Sequence, residues 1–314
     1  MKRTCVLLIG ALAVGAVFAS CKKKGCTDPT ATNYNSEAEK DDESCTYPAT
    51  KDLTLNISGL PDLGSNYKYE TWIAYNNMAI SLGTFDVDAA GTMSTNTFTG
   101  STIDIESATV LVVTIEPFPD SDPTPGTVKI LGGNFNGNSA DLSIAYGAAV
   151  GSDLSTSTGE YVIDAPTTNT TTDNLSGLWF YNPSAIEPQM SLPTLTAGWE
   201  YEGWAVIGGI PMSTGKFTNP EIADNAAMYS ATEAAAPSYP GEDFVQNAPA
   251  GITFPTDLSG QAVFISVEPV TDNSPDPFVL RPLVGTVPTS ANSMTPYTLN
   301  NNATATNPFG TVMR

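Results

Sequence analysis

Histidine is absent from all 314 residues, and cysteine occurs only four times. Without an imidazole, no Ser-His or Cys-His pair can activate a nucleophile, which removes the commonest hydrolase mechanisms. Zinc lacks a ligand set for the same reason, since the sequence also has no Cys-x-x-Cys spacing. Basic side chains are scarce: 12 Lys and Arg stand against 33 Asp and Glu, a formal net charge of −21. A chain of that sign repels phosphate backbones, so nucleic-acid binding is excluded. Otherwise the charge speaks to solubility and mutual repulsion, not to fold. Beyond residue 20, no apolar run approaches the ~20 residues that a membrane-spanning helix requires.

The amino terminus has Lys2 and Arg3, then an apolar stretch from Val6 to Ala19 and small residues before Cys21, the build of a secretory leader. Phe18-Ala19-Ser20-Cys21 resembles a bacterial lipobox, although Leu is commoner at the position of Phe18. The resemblance implies that residues 1–20 are removed and that Cys21 carries the lipid. An ordinary cleavage near Ala19 that leaves Cys21 free is the alternative. Removing Lys2 and Arg3 leaves 10 bases against 33 acids, or −23. Lys22, Lys23 and Lys24 would lie beside the lipid, where they suit anionic headgroups. Cys5 departs with the leader, so Cys26 and Cys45 are expected to form one disulfide in an oxidising compartment. Closing that short loop contributes about 3 kcal/mol in the chain-entropy view.

Residues 21–50 form the anchor and a polar module too small for an apolar core. Its stretch GCTDPTATNYNSEAEKDDESCTYP resembles a Cys-bounded acidic repeat of secreted Bacteroidetes proteins, with Glu43 where that pattern usually has Gly. Asp28, Asn33, Asn35, Asp41 and Asp42 offer oxygen atoms of the kind calcium takes, but not at the spacing of a twelve-residue calcium loop. Calcium held by Asp28, Asp41 and Asp42 is one reading; acids that shape and solvate turns in a stalk are the other.

From Lys51 onward the dominant feature is an internal repeat. LPDLGSNYKYETWIAYNNMAISLGTF, starting at Leu60, recurs 132 residues later as LPTLTAGWEYEGWAVIGGIPMSTGKF. Tyr69, Trp72, Gly83 and Phe85 thereby match Tyr201, Trp204, Gly215 and Phe217. A second block pairs Glu116-Pro117 with Glu268-Pro269 and Asp120 with Asp272 at an offset of 152, so the second copy carries an insertion within 218–260. A repeat of this length is a whole domain. The expected organisation is one domain over 51–166, a Thr/Asn-rich linker over 167–174 and a second domain over 175–314.

The pattern within each repeat is that of strands. Leu53, Leu55 and Ile57 alternate with polar residues. Leu111, Val113 and Ile115, like Val263, Ile265 and Val267, occupy one face of a run that is apolar on both, which predicts a central strand. Turn residues such as Asn76-Asn77, Ala90-Gly91 and Gly132-Gly133 punctuate the chain. Glu221 to Ala236 is Ala-rich and predicts a short helix in the insertion. The fold class is all-β: two tandem antiparallel β-sandwiches, Ig-like or Greek-key, after a small disulfide-closed amino-terminal module.

No catalytic constellation emerges. Glu116 and Glu268 are the carboxylate pair the repeat nominates for a glycosidase, but each occupies its own domain and the two are expected to lie far apart. Each ends an apolar strand just before Pro and is placed to accept N–H groups from the turn that follows. Tyr67 and Tyr69 share one strand face, and Trp72 lies on the other with Lys68 and Glu70; Trp199, Tyr201, Glu202 and Trp204 repeat this arrangement. Aromatics beside carboxylates suit a sugar-binding face, and equally suit packing on a half-buried sheet. The loops EPFPDSDPTP and EPVTDNSPDP read as rigid connections.

The Tyr-x-x-Trp strand, the Gly-x-Phe element and the Val-x-Glu-Pro or Ile-Glu-Pro strand ending resemble the extracytoplasmic C-terminal domain of anti-sigma-K factors. They are carried by Tyr69 to Trp72, Gly83 to Phe85, Thr114 to Pro117 and their partners in the second copy. GEYVIDAPT, SGLWFYN and YPGEDF look like uncharacterised bacterial envelope proteins of the same duplicated layout. Anti-sigma factors of that group carry a cytoplasmic helical module and a membrane helix where this chain carries Cys21, so the resemblance implies the outer domain without sigma-factor inhibition. The expectation is a noncatalytic lipoprotein of the cell envelope, anchored in the membrane, most readily the outer one, by its lipid and binding a protein or glycan without a cofactor. The alternatives are a regulatory partner of an anti-sigma type membrane system and a carbohydrate-binding protein.

Overall fold

Alternation sets the first strand. In β1 (Thr50–Ser58), Leu53, Leu55 and Ile57 are buried and the residues between them face outward. The computed structural model describes residues 22–232, 236–270 and 274–314, so the leader, Cys21 and Asp272 lie outside the described residues. The chain divides at Ala49/Thr50 into a small amino-terminal unit and one large unit.

The large unit is nearly all β. After β1 come β2 (Tyr67–Tyr75), β3 (Met78–Phe85), β4 (Thr97–Ser101), helix α1 (Thr102–Ser107), β5 (Val110–Pro117), β6 (Lys129–Asn134) and β7 (Ser139–Ser143). There follow β8 (Thr158–Ile163), β9 (Gly177–Trp179), β10 (Tyr181–Asn182), β11 (Glu187–Pro188) and β12 (Met190–Ser191). The second repeat supplies β13 (Trp199–Ile207), β14 (Ile210–Phe217), β15 (Gly241–Asp243), β16 (Ala262–Pro269) and β17 (Leu283–Thr286). It ends with β18 (Tyr297–Asn301), helix α2 (Ala303–Thr306) and β19 (Phe309–Met313).

Two large antiparallel sheets form barrel-like sandwiches. The first runs β3-β2-β5-β6-β7-β19-β1-β4; the second runs β14-β13-β16-β17-β18-β8-β9-β15, with β12 added beside β8. The first curls until its edges approach, with Phe98 of β4 edge-on to Phe85 of β3 at 5.9 Å. The hairpins between β2 and β3 and between β13 and β14 turn through left-handed pairs, Asn76-Asn77 in one copy and Gly208-Gly209 in the other. As predicted, β5 and β16 are central strands, and Leu111, Val113, Ile115, Val263, Ile265 and Val267 enter the core.

The two strand orders correspond place for place, and the correspondence exposes an exchange. β8 follows β7 in sequence yet lies in the second sheet, where it pairs with β18. The final strand β19 takes the equivalent place in the first, between β7 and β1. Gly159 faces Leu299 in one sheet as Gly310 faces Leu142 in the other. The crossing connections are tied together: the Asn301 side-chain amide donates to Leu154 O at 3.0 Å and Ser157 O at 2.9 Å, and that of Asn307 to Asp153 O at 2.7 Å. Arg314 fastens the end of β19 by donating to Ile105 O and Ala108 O at the C-terminus of α1, at 2.6 and 2.7 Å. One buried cluster runs through both sheets, from Leu53 and Val312 to Tyr201 and Leu283. The expected segments 51–166 and 175–314 therefore do not coincide with the two sheets, because each sheet borrows its neighbour's last strand.

Three local expectations change. Gly132-Gly133 is not a turn: both lie within β6, where side chains would collide with the Tyr146 ring and the Asp141 carbonyl. The run 167–174 is not a free linker, since Thr167 and Asp173 are buried and Thr167 donates its N–H to Asp243 Oδ2 at 2.8 Å. The described residues of 221–236 form no helix; Asn219 and Asp224 instead bind N–H groups two residues on, and Asn225 binds the Lys216 N–H of β14, which competes with helical pairing.

In the small unit, Cys26 and Cys45 form a disulfide with Cα atoms 4.8 Å apart. Asn33 bridges its two strands of chain, donating to Ser44 O at 2.6 Å and accepting from Thr46 N at 2.9 Å. Asp28 accepts from Thr30 N and from the Tyr47 hydroxyl, which hold its carboxyl below the usual range, the Tyr47 bond foremost. Asp41 and Asp42 each accept an N–H two residues on. Among the described residues no group of three or more acidic or cysteine side chains is arranged to hold a metal ion.

Glu43 occupies the left-handed region at φ 64°, a conformation that favours Gly. Glu43→Gly relieves about 1 kcal/mol of backbone strain. Amide exchange at Asn35 and Thr46, whose N–H groups are bonded inside this unit, should slow about five-fold. Removal of residues 308–314 has a different, localised result. Amide protection should collapse in β1 and β7, which both pair with β19, before it falls in β16 of the other sheet.

Candidate functional site

Within the large unit, the repeat-defining residues play the same part twice. Tyr69 and Tyr201 point into the core and donate their hydroxyls to Pro61 O at 2.8 Å and Pro193 O at 2.6 Å. Burial raises both phenols, Tyr201 with no other cause. Each ring stacks on the matching Phe, Tyr69 on Phe85 at 5.2 Å and Tyr201 on Phe217 at 5.8 Å. Gly83 and Gly215 sit at φ 121° and 118°, next to the register shift in each hairpin, a conformation that favours Gly.

Trp72 and Trp204 project from the opposite face of the same strands, as the alternation predicts, and are nonetheless only 3% and 2% exposed. Each indole N–H is engaged: Trp72 donates to Thr114 Oγ1 at 3.0 Å and Trp204 to Ser266 Oγ at 2.7 Å. Neither offers an open ring face for a sugar. Ser266 in turn donates to Glu268, and Ser81 and Ser213 donate to Glu70 and Glu202. Burial raises Glu70, the Ser81 bond opposing it.

The glutamates that end β5 and β16 reach into the loops that follow them. Glu116 accepts the Gly126 N–H at 2.7 Å, and Glu268 accepts the Phe278 N–H at 2.8 and 3.1 Å. The carbonyls of those two residues accept from equivalent cations, Gly126 O from Lys129 Nζ at 2.7 Å and Phe278 O from Arg281 Nε at 3.4 Å. Both glutamates are almost wholly buried. A carboxylate under a loop replaces the missing backbone partner and fixes the loop's height above the sheet.

These fixed loops border a cleft of about 800 Å³. The loop before β2 contributes Pro61 to Asn66, the first proline loop Gly126 to Val128, and the second Ser274 to Val279. Phe118 N donates to Asn66 O at 2.7 Å, which ties the first of these loops to the end of β5. Glu116 and Glu268, expected to lie far apart, both line this one cleft. The physical reason is the close junction of the copies: Gly198 approaches Thr127 O so nearly that a side chain there would sit 2.6 Å away, and the Trp199 indole donates to Lys129 O at 3.2 Å. A smaller groove of about 330 Å³ runs over the outer face of β2, between Glu70, Trp72, Ser81 and Phe118.

A second polar cluster, invisible in the repeat pattern, lies in the insertion. Asp243 accepts from Thr167 and from the Trp179 indole, the latter at 2.7 Å. Glu242 accepts from Tyr229 N and Ser230, and Asp224 from Gly241 N at 2.8 Å and Ala226 N at 3.1 Å. Burial pushes all three carboxyls up, Asp224 to about 7, with Glu242 and Glu202 adding repulsion. The sequence signals were YPGEDF and the Thr-rich run, whose pairing across 76 residues no local pattern announces.

The chain matches no protein family, no curated protein and no solved structure. The resemblances drawn from its motifs rest on those motifs alone.

Asp224 gives the insertion a pH dependence. A carboxyl raised from 3.8 to about 7 holds its proton better in the folded chain, so stability is full below about pH 4 and falls as pH climbs towards 7. With partial exposure allowed for, the loss is on the order of 2 kcal/mol. Thermal melts between pH 4 and 8 should show the decline, and Asp224→Ser should lessen it, with Glu242 and Asp243 accounting for what remains.

Proposed function

We propose that this chain is a noncatalytic lipoprotein of the cell envelope, a binding module in which two fused β domains present the loop-lined cleft to a partner. The observation that carries the reading is the commitment of both repeat glutamates to backbone N–H groups of their own loops. A carboxylate so used is a structural post; a glycosidase needs one that reaches substrate. The rigid, largely apolar cleft is the kind of concavity that binds without chemistry, within the ~300–1,000 Å³ typical of ligand sites.

The anti-sigma-K-like motifs support an extracytoplasmic setting, and the proposed anchor at Cys21 agrees with it. Among the described residues no helix is long and apolar enough to cross a membrane. A lipid beside Lys22, Lys23 and Lys24 would supply two attachment signals at once. The proposed address is the outer membrane.

Metabolic labelling with a palmitate analogue and membrane fractionation test the anchor. The unaltered chain should incorporate label and sediment with the outer membrane. Cys21→Ser should lose the label and appear in the soluble fraction, whereas a sedimenting, labelled Cys21→Ser chain would overturn the assignment.

A further inference from the structure

We propose that the cleft between the proline loops receives an extended peptide segment of a partner protein, one that carries lysine or arginine side chains among apolar ones. This rests on the binding-module reading above. The cleft walls include Leu63, Tyr67, Ile115, Val128 and Phe278, a continuous apolar surface contributed by both repeats. Every charged residue in its lining is acidic: Asp62 and Glu116 from the first repeat, Glu268 and Asp276 from the second. The cations that flank the lining segments are engaged elsewhere: Lys129 and Arg281 donate to the carbonyls of Gly126 and Phe278, and Lys68 pairs with Asp86 Oδ2 at 2.7 Å.

Asp62 and Asp276 are exposed, so each is within reach of an approaching ligand. Asp62 rides on a loop held at both ends, by Tyr69 at Pro61 and by Phe118 at Asn66, and its carboxylate accepts the Gly64 N–H at 2.8 Å. Charge placed on fixed loops above an apolar floor selects a ligand that is apolar in the middle and cationic at its sides. A sugar lacks that charge, and a nucleic acid has the opposite one. Pro275 and Pro277 in the second repeat's loop keep the wall preformed, so a peptide meets it with little reordering of the protein.

The test uses the soluble mature chain and a fluorescein-labelled heptapeptide alternating Leu and Lys, with Glu and Gln versions as comparisons, read by fluorescence anisotropy. The Lys peptide should bind, weaken with salt, and outcompete the other two. The double substitution Asp62→Lys with Asp276→Lys should weaken it at least ten-fold, about 1.4 kcal/mol. An equal charge change at exposed positions on β1 and β7, Asp52→Lys with Asp141→Lys, should alter it less than about two-fold. Equal losses from both double variants would show attraction to the whole acidic surface and overturn the site. Ser65→Trp, an exposed position in the lining, should block binding by filling the mouth. If the Gln peptide or a neutral oligosaccharide binds and Ser65→Trp blocks it, the binding module stands and the cationic ligand is overturned. If nothing that binds is sensitive to Ser65→Trp, both are overturned.

Discussion

The hydrogen bonds that β19 makes on both its edges are the constraint on which the large unit depends. β1 and β7 lie side by side in no other way: the gap between them is the width of one strand, and β19 fills it. An unfilled gap would expose two rows of backbone N–H and C=O groups beside a buried core, which folded proteins do not tolerate. The second sheet imposes the same demand on β8. Because β19 closes the first sheet, that sheet is incomplete until the last strand is in place, whereas the second draws on residues 158–301 alone. The fused core, with Val312 from the last strand packed in the same cluster as Leu53 from the first, follows from that exchange.

Exchange also explains why a cleft forms at all. Two separate sandwiches joined by a flexible run would leave their proline loops free to move past each other. Here the connections cross and are tied by Asn301 and Asn307, and the Thr-rich run is fastened through Thr167 to Asp243. The loops are then set by Glu116 at Gly126 and by Glu268 at Phe278, the second glutamate being joined through Ser266 to Trp204. Sheet, loop and cleft wall are thus linked by named bonds, and the rigidity of the cleft follows from the topology.

The sequence made the strands readable because their apolar periods are local: Leu53, Leu55 and Ile57 announce β1, and the doubled Val-rich runs announce β5 and β16. The equivalence of Trp72 with Trp204 and of Glu116 with Glu268 was readable too, since duplication writes the same role twice. Exchange was not, because β8 and β19 resemble each other. A strand that fits either sheet carries no mark of which one it joins; only chain connectivity argues for the nearer, and packing overrides it. The expected separation of Glu116 from Glu268 failed for that reason, since it assumed two independent bodies. The helix expected over 221–236 failed because Ala-rich composition was outweighed by Asp224, whose side chain claims the Ala226 N–H, and by Asn225, which pairs with Lys216 of β14.

What distinguishes the two classes of acid in this chain is burial. Glu116, Glu268 and Asp243 are buried and each is met by N–H or O–H groups, so their burial builds structure. Asp62 and Asp276 are exposed on loops whose shape is already fixed, so their charge is spent on whatever approaches. An excess of acid spread over a whole surface attracts any cation weakly and is screened within ~10 Å in ordinary salt. Selectivity requires that a few of those charges be held at set positions around an apolar floor. Bonds from beneath the loops provide that: Glu268 ties down the loop of Asp276, and Tyr69 with the Phe118 N–H ties down that of Asp62, so the two surface aspartates are held at set positions.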